Sequence, residues 1–287
     1  MRFAKLFTQS VKDAAKNLSL LGVLLIAFIT TALAGLLFFL LDNYFLTVLH
    51  PGIATAQDPI AFINSQLDMP TIAMLLTLLL VQSIVLLLID SFFRAGFYGM
   101  IKNLYHDGHT TIREFTPNAK RFFLPLFGFQ FVRYALLFII GIPFLFTLLQ
   151  FMSSSYPDMV QLGVVFGITS LLALIVLFFL LFGEVIIVAE NESSAGAVLR
   201  SVRTVKKYFV RSLITGLTVF LLLGVVYVVS GFIETPLGAA CQAAQGGTMC
   251  IAADAVNILF RIVTICAGII TSIFIFRVYK GLHGKSK

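Results

Sequence analysis

The sequence predicts an all-α polytopic membrane protein: six transmembrane helices, with basic interfacial helices before the odd-numbered spans. Composition is the first reason. The 287 residues are 59% hydrophobic and 11% charged, with a mean hydropathy of +1.01, whereas a soluble domain carries about a quarter charged residues. The second reason is six apolar runs, each able to cross about 30 Å of hydrocarbon at about 1.5 Å per residue. The third is where the cations lie. Of 20 Lys and Arg, 18 fall in the N-terminus, in segments 94–121 and 200–211, and in the C-terminal end from Arg277. The remaining two, Arg133 and Arg261, lie inside apolar runs, and the three intervening loops have none. Basic residues accumulate on the cytoplasmic side, so both termini are expected there. The net charge of +7 then has a topological origin, and nucleic acid is not an expected partner. Residues 1–287 are expected to form a single membrane domain.

Residues 1–17 carry Arg2, Lys5, Lys12 and Lys16. A first span follows from Leu18 to Leu41. Ala32-Leu33-Ala34 resembles a signal-peptidase site, but the apolar run continues past it, so the span is expected to be retained. Residues 42–70, with Pro51, Gly52, Pro59 and Pro70, read as a loop with a short surface helix near 60–67. The second span covers about Thr71 to Phe93. Thr111 and Glu114 have capping-box spacing, and Thr116-Pro117 offers another helix start. The third span covers about Phe122 to Phe151, with kinks expected at Pro125 and Pro143. The fourth covers about Met159 to Ala189. Its Gly163-x-x-x-Gly167 predicts a tight helix crossing. The fifth covers about Ser212 to Phe232 and the sixth about Ala255 to Tyr279. With no tryptophan in the chain, interfacial anchoring falls to Tyr44, Tyr98, Tyr105, Tyr156, Tyr208 and Tyr279.

The segment Glu184–Arg211 joins two spans and has its own pattern. Ser193 or Ser194 can cap a helix whose positive dipole end is near Glu190 and Glu192. Ala195, Val198, Leu199, Val202, Val205 and Phe209 recur at helical spacing as an apolar stripe. Arg200, Arg203, Lys207 and Arg211 occupy the neighbouring face, and Lys206 must snorkel. Such a helix either lies at the headgroups of an anionic leaflet or packs on the protein's own spans. Ser10-Val11-Lys12 with Lys16 repeats as Ser201-Val202-Arg203 with Lys207, and Asn118-Ala119-Lys120 is a weaker echo. These echoes predict a unit of amphipathic helix plus membrane hairpin, used three times.

Arg133, Glu184 and Arg261 are the intramembrane charges, which are costly unless paired or wetted. An Arg133–Glu184 pair is expected, and Asp90 is one helical turn from Arg94. Structural glue between spans and a transport path are the competing roles. Cys241 and Cys250 share a loop on the oxidising side and are disulfide candidates, whereas Cys266 reads as an apolar filler. No cofactor or metal is expected: His106-Asp107-Gly108-His109 reads as a turn with no fixed ligand set. Phosphate-loop, zinc-protease and serine-hydrolase motifs are missing, so no enzyme activity is expected.

Glu190-Asn191, Ala197-x-x-x-Ser201, Arg203 and Val205-Lys-Lys-Tyr-Phe209 resemble the loop before the fifth span of YciC-type bacterial inner-membrane proteins. The membrane domain of some glycerophosphodiester phosphodiesterases has a similar stretch. Ser10-Val11 through Ile29-Thr30 and Phe274-x-Phe-Arg277-x-Tyr279 are similar to the YciC pattern too. The resemblance implies a multi-pass protein of the bacterial inner membrane without an established activity. The expected function is non-enzymatic: engagement of anionic lipid or an envelope partner at the cytoplasmic leaflet through Arg200, Arg203, Lys206, Lys207 and Arg211. The alternative is a small transporter or permease with a polar path lined by Arg133, Glu184 and Arg261.

Overall fold

The computed structural model describes residues 3–49, 69–153, 159–243 and 248–283, which are helical with short connections and hold no strand. We label the helices α1 (Phe3–Lys16), α2 (Leu18–Leu49), α3 (Met69–Asp107), α4 (Phe115–Ser153), α5 (Met159–Phe179), α6 (Gly183–Glu190), α7 (Ser194–Lys207), α8 (Phe209–Ala243) and α9 (Thr248–His283). Six stretches are long and apolar enough to cross a membrane: Leu18–Tyr44, Thr77–Asp107, Ile112–Leu148, Met159–Glu190, Phe209–Ile233 and Ala255–His283. The surface helix expected near 60–67 lies outside the described residues.

Helices run further into the basic segments than their apolar runs predict. α3 continues through Arg94 to Asp107, and Gly108, at φ +77, turns the chain. Only glycine adopts that conformation without strain. A 3₁₀ turn, Ile112–Glu114, then leads directly into α4. Thr111 and Glu114 pair through their side chains at 3.3 Å. No separate amphipathic helix precedes the third span, so the predicted threefold unit is seen twice. Those two copies match closely. α1 and α7 each have 14 residues, and each is followed after a single residue by a long span. Ser10 and Ser201 are the eighth residue of their helices, and both are fully buried.

Burial concentrates at the basic ends of the spans. Leu20, Met100, Leu126, Phe129, Phe182, Ile186, Ile187, Phe274, Phe276 and Tyr279 form its centre. α1 closes this end by packing on α9, through an edge contact of Phe7 and Phe274 and an Asp13–Arg277 ion pair. Away from this end, the spans expose Leu33, Leu36, Phe39, Phe146, Val160, Phe220 and Phe232. Apolar surface there faces lipid, which offers no hydrophobic drive toward helix–helix contact. Tyr98 and Tyr279 belong to the core rather than to an interfacial belt. Tyr44 and Tyr105 are exposed as the anchoring pattern predicts.

Glycine sets the close crossings, but not the glycines of the predicted motif. A Cβ on Gly163 or Gly167 would meet nothing within 4 Å, so Gly163-x-x-x-Gly167 makes no tight crossing among the described residues. A Cβ on Gly96 would collide with the Phe115 ring, and one on Gly99 with Asn118, where α3 crosses α4. Gly128 gives room to Ser194, and Gly183 to the Phe129 ring.

Candidate functional site

The fourth span is broken. α5 stops at Phe179 and α6 starts at Gly183, with a turn at 180–182 between them. Leu181 and Gly183 donate three residues back, to Phe178 and Leu180, so the helix tightens before it restarts. Ser201 of α7 bridges the break. Its hydroxyl donates to the Phe179 carbonyl at 2.8 Å and accepts from the Phe182 N–H at 3.3 Å. Backbone groups freed inside a membrane protein need such partners, and a fully buried serine on a packed helix supplies them.

The restarted helix puts Glu184 in its first turn, where the helix dipole favours an anion. Arg133 Nη1 lies 2.9 Å from Glu184 Oε1, and Arg94 Nη1 lies 3.2 Å from the same oxygen. Arg94 also pairs with Asp90 at 2.7 Å. Gln130 donates to Glu184, and Tyr98 packs beside it. Two arginines and two carboxylates leave this cluster neutral. It fastens α3, α4 and α6 at one point. The expected Arg133–Glu184 pair is thus part of a larger group. Arg133 sits about 27 Å along α4, because that helix starts at Phe115.

The other end of α6 carries the opposite charge. Lys102 donates to the Val188 carbonyl at 2.8 Å, and Arg121 to Asn191 Oδ1 at 2.9 Å. Cations stabilise a helix C-terminus. Asn191 ends the helix in the left-handed conformation, at φ 55, which asparagine tolerates.

α7 presents three faces. Ser193 caps it by accepting from the Gly196 N–H at 3.2 Å. Its protein-facing side is small and partly polar: Ala197, Ser201, Thr204 and Val205 are buried. The predicted apolar stripe points elsewhere. Leu199 is 60% exposed, and the adjoining Phe209 is 51% exposed. At about 100° per residue, the stripe of Ala195, Val198, Leu199 and Val202 lies between the protein face and the basic face. Of the predicted stripe, Val205 is buried in the core and Val198 packs against it half-buried.

The basic face is not uniform. Arg200 Nη1 pairs with Glu190 at 2.6 Å and Glu192 at 2.8 Å. Desolvation lowers the pKa of Arg200, but Glu190 and Glu192 outweigh it and raise the value further. Tyr279 also donates to Glu190, so Arg200 departs from the lipid-contact expectation and ties α7 to α6 and α9. Arg203, Lys206, Lys207 and Arg211 are exposed, with no ion pair among the described residues. Lys207 lies over the Tyr208 ring at 5.2 Å.

Arg261 is far from both groups. Its Nε donates to Asn257 Oδ1 at 3.2 Å, and its guanidinium lies 5.7 Å from the Phe28 ring. Cys250 is disulfide-bonded and Cys266 is free, while the side chain of Cys241 lies outside the described residues.

Sequence reasoning missed the break, the bridging Ser201 and the roles of Tyr98, Gln130 and Lys102. Gly183-Glu184 inside an apolar run was the available signal. A glycine permits close approach, and an acid there needs partners.

A family described as a domain of unknown function (DUF7847) matches residues 7–280. No curated protein and no solved structure matches the chain. The match covers nearly the whole sequence, so the chain belongs to the DUF7847 family.

Proposed function

From that membership, which carries no assigned activity, we propose a non-enzymatic protein of the bacterial inner membrane that engages anionic lipid at the cytoplasmic leaflet. Both termini are placed in the cytoplasm in this reading, by the cation distribution. One observation carries it: α7 turns its small polar face to the protein and leaves Leu199 and the adjoining Phe209 exposed. Such apolar side chains find their partner in acyl chains, which sets the helix at headgroup depth. Arg203, Lys206, Lys207 and Arg211 are then the leaflet contacts, each adding about 1 kcal/mol of attraction near an anionic surface. Arg200 orients the helix through its carboxylates.

The test compares wild type with a variant carrying glutamine at positions 203, 206, 207 and 211. Both are extracted from membranes containing phosphatidylglycerol, and retained lipid is counted by mass spectrometry. Retention of phosphatidylglycerol should fall in the variant, with phosphatidylethanolamine unchanged. Equal retention of phosphatidylglycerol would remove the reading. Reporter tags at both termini test the orientation.

The transporter reading has one supporting observation, a cavity at Arg261. Arg133 and Glu184, the other charges of that path, are held by each other and by Arg94.

A further inference from the structure

Arg94, Arg133 and Arg261 lie on the second, third and sixth spans. The first two share Glu184, and Arg94 has Asp90 as well. Arg261 has no carboxylate partner among the described residues. A guanidinium carries five N–H donors, and among the described residues only Nε–H of Arg261 finds an acceptor. The other four have no protein acceptor among the described residues. An uncompensated cation among apolar side chains is costly, and the chain answers that cost with carboxylates at Arg94, at Arg133 and, on the same span as Arg261, at Arg277.

The surroundings of Arg261 are partly polar. Arg261 lines a cavity of about 240 Å³, together with Tyr227, Ser230, Asn257 and Thr264. Phe28, Phe260 and Ile265 complete its wall. Tyr227 is shared with a second cavity of about 440 Å³, whose wall is mainly apolar: Val228, Gly231, Phe232 and Pro236, with Thr235. A polar recess with an unpaired guanidinium therefore adjoins an apolar groove, across one tyrosine. The donors match a tetrahedral or planar oxyanion: a planar fork that binds phosphate or carboxylate with two parallel bonds, with hydroxyl and amide groups beside it.

We propose that the Arg261 recess, bounded by α2, α8 and α9, binds a phosphate-type oxyanion carried on a membrane amphiphile. Arg261 makes the charged contact, Asn257 fixes the guanidinium plane, and Tyr227 offers a hydroxyl donor, while the Ser230 hydroxyl is already given to the Tyr227 carbonyl. The flanking apolar groove takes part of the hydrophobic portion. Free phosphate shares the recognition chemistry but has no use for the groove. This site is separate from α7 and does not depend on the role proposed for that helix.

The absence of tryptophan permits a direct test. Phe28→Trp places a single fluorophore beside Arg261. The full-length protein is reconstituted in phosphatidylcholine vesicles containing brominated phosphatidylglycerol or brominated phosphatidylcholine, with and without Arg261→Gln. Phosphatidylglycerol should quench with a preference of about tenfold, the worth of a hydrogen-bonded charge contact. That preference should vanish in Arg261→Gln. Arg261→Lys, which keeps the charge and loses the fork, should retain only part of it, and it serves if the glutamine variant does not fold. Inorganic phosphate is titrated in parallel. An Arg261-dependent response to it without lipid preference assigns the same oxyanion site to a free anion. Equal quenching by both lipids with no phosphate response overturns the site.

Discussion

Ser201 holds the two halves of the fourth span together by bonding to Phe179: its hydroxyl donates to the Phe179 carbonyl at 2.8 Å. The same oxygen accepts from Phe182 across the break. Replacing Ser201 with Ala leaves a buried carbonyl and a buried N–H without partners. The expected loss is about 1–3 kcal/mol for each group, read as a lowered Tm of the purified protein. Ser201→Val should do no better, because volume is not what the site lacks. A Tm equal to wild type in both variants would mean that the break satisfies itself.

The Glu184 cluster predicts a rescue. Glu184→Gln leaves Arg133 without a counter-charge, at a cost of about 3–5 kcal/mol. Arg133→Gln alone removes a cation from a neutral group. In the double variant Arg94 keeps Asp90, and the group is neutral again. The double loss should therefore be smaller than the sum of the singles by about 1 kcal/mol or more. The yield of monodisperse protein and its Tm are the readouts, and strict additivity is the contrary result.

Glycine substitutions separate real crossings from apparent ones. Gly96→Ala drives a methyl group into the Phe115 ring, and Gly99→Ala drives one into Asn118. Each should cost about 1–3 kcal/mol, as overpacking does. Gly163→Ala and Gly167→Ala meet open space and should be neutral or slightly stabilising in a helix. Thermal unfolding of the four variants checks the order.

Asp13 fastens the N-terminal helix to Arg277. Asp13→Asn should loosen α1 without unfolding the spans. Trypsin should then cut after Lys12 and Lys16 about ten times faster, while the main melting transition shifts little. Cleavage at the wild-type rate would show that Phe7 and the rest of the apolar face hold α1 unaided.

The spans were legible because hydrocarbon thickness imposes length, and the Arg133–Glu184 pair because few acids were within reach. The helix ends were not legible. Arg94 to Asp107 reads as a polar segment, yet tertiary partners such as Val188, which accepts from Lys102, let α3 run on through it. The facing of α7 stayed open in the sequence, between the leaflet and the protein's own spans. Periodicity identified its apolar stripe, but a soluble protein's rule would turn that stripe inward. In lipid the small residues Ala197, Ser201 and Thr204 pack inward instead. Glycine spacing misled at Gly163 because the motif records only permission for close approach, and among the described residues nothing approaches that face of α5 closely.

Side-chain burial gathered at one end gives the six rods the mechanics of a bouquet gripped by its stems. Amide exchange should be slowest around Phe182 and Tyr279 and should quicken toward the opposite tips. Bilayer thickness and acyl-chain order should then alter the spacing of those tips, and with it the Arg261 recess.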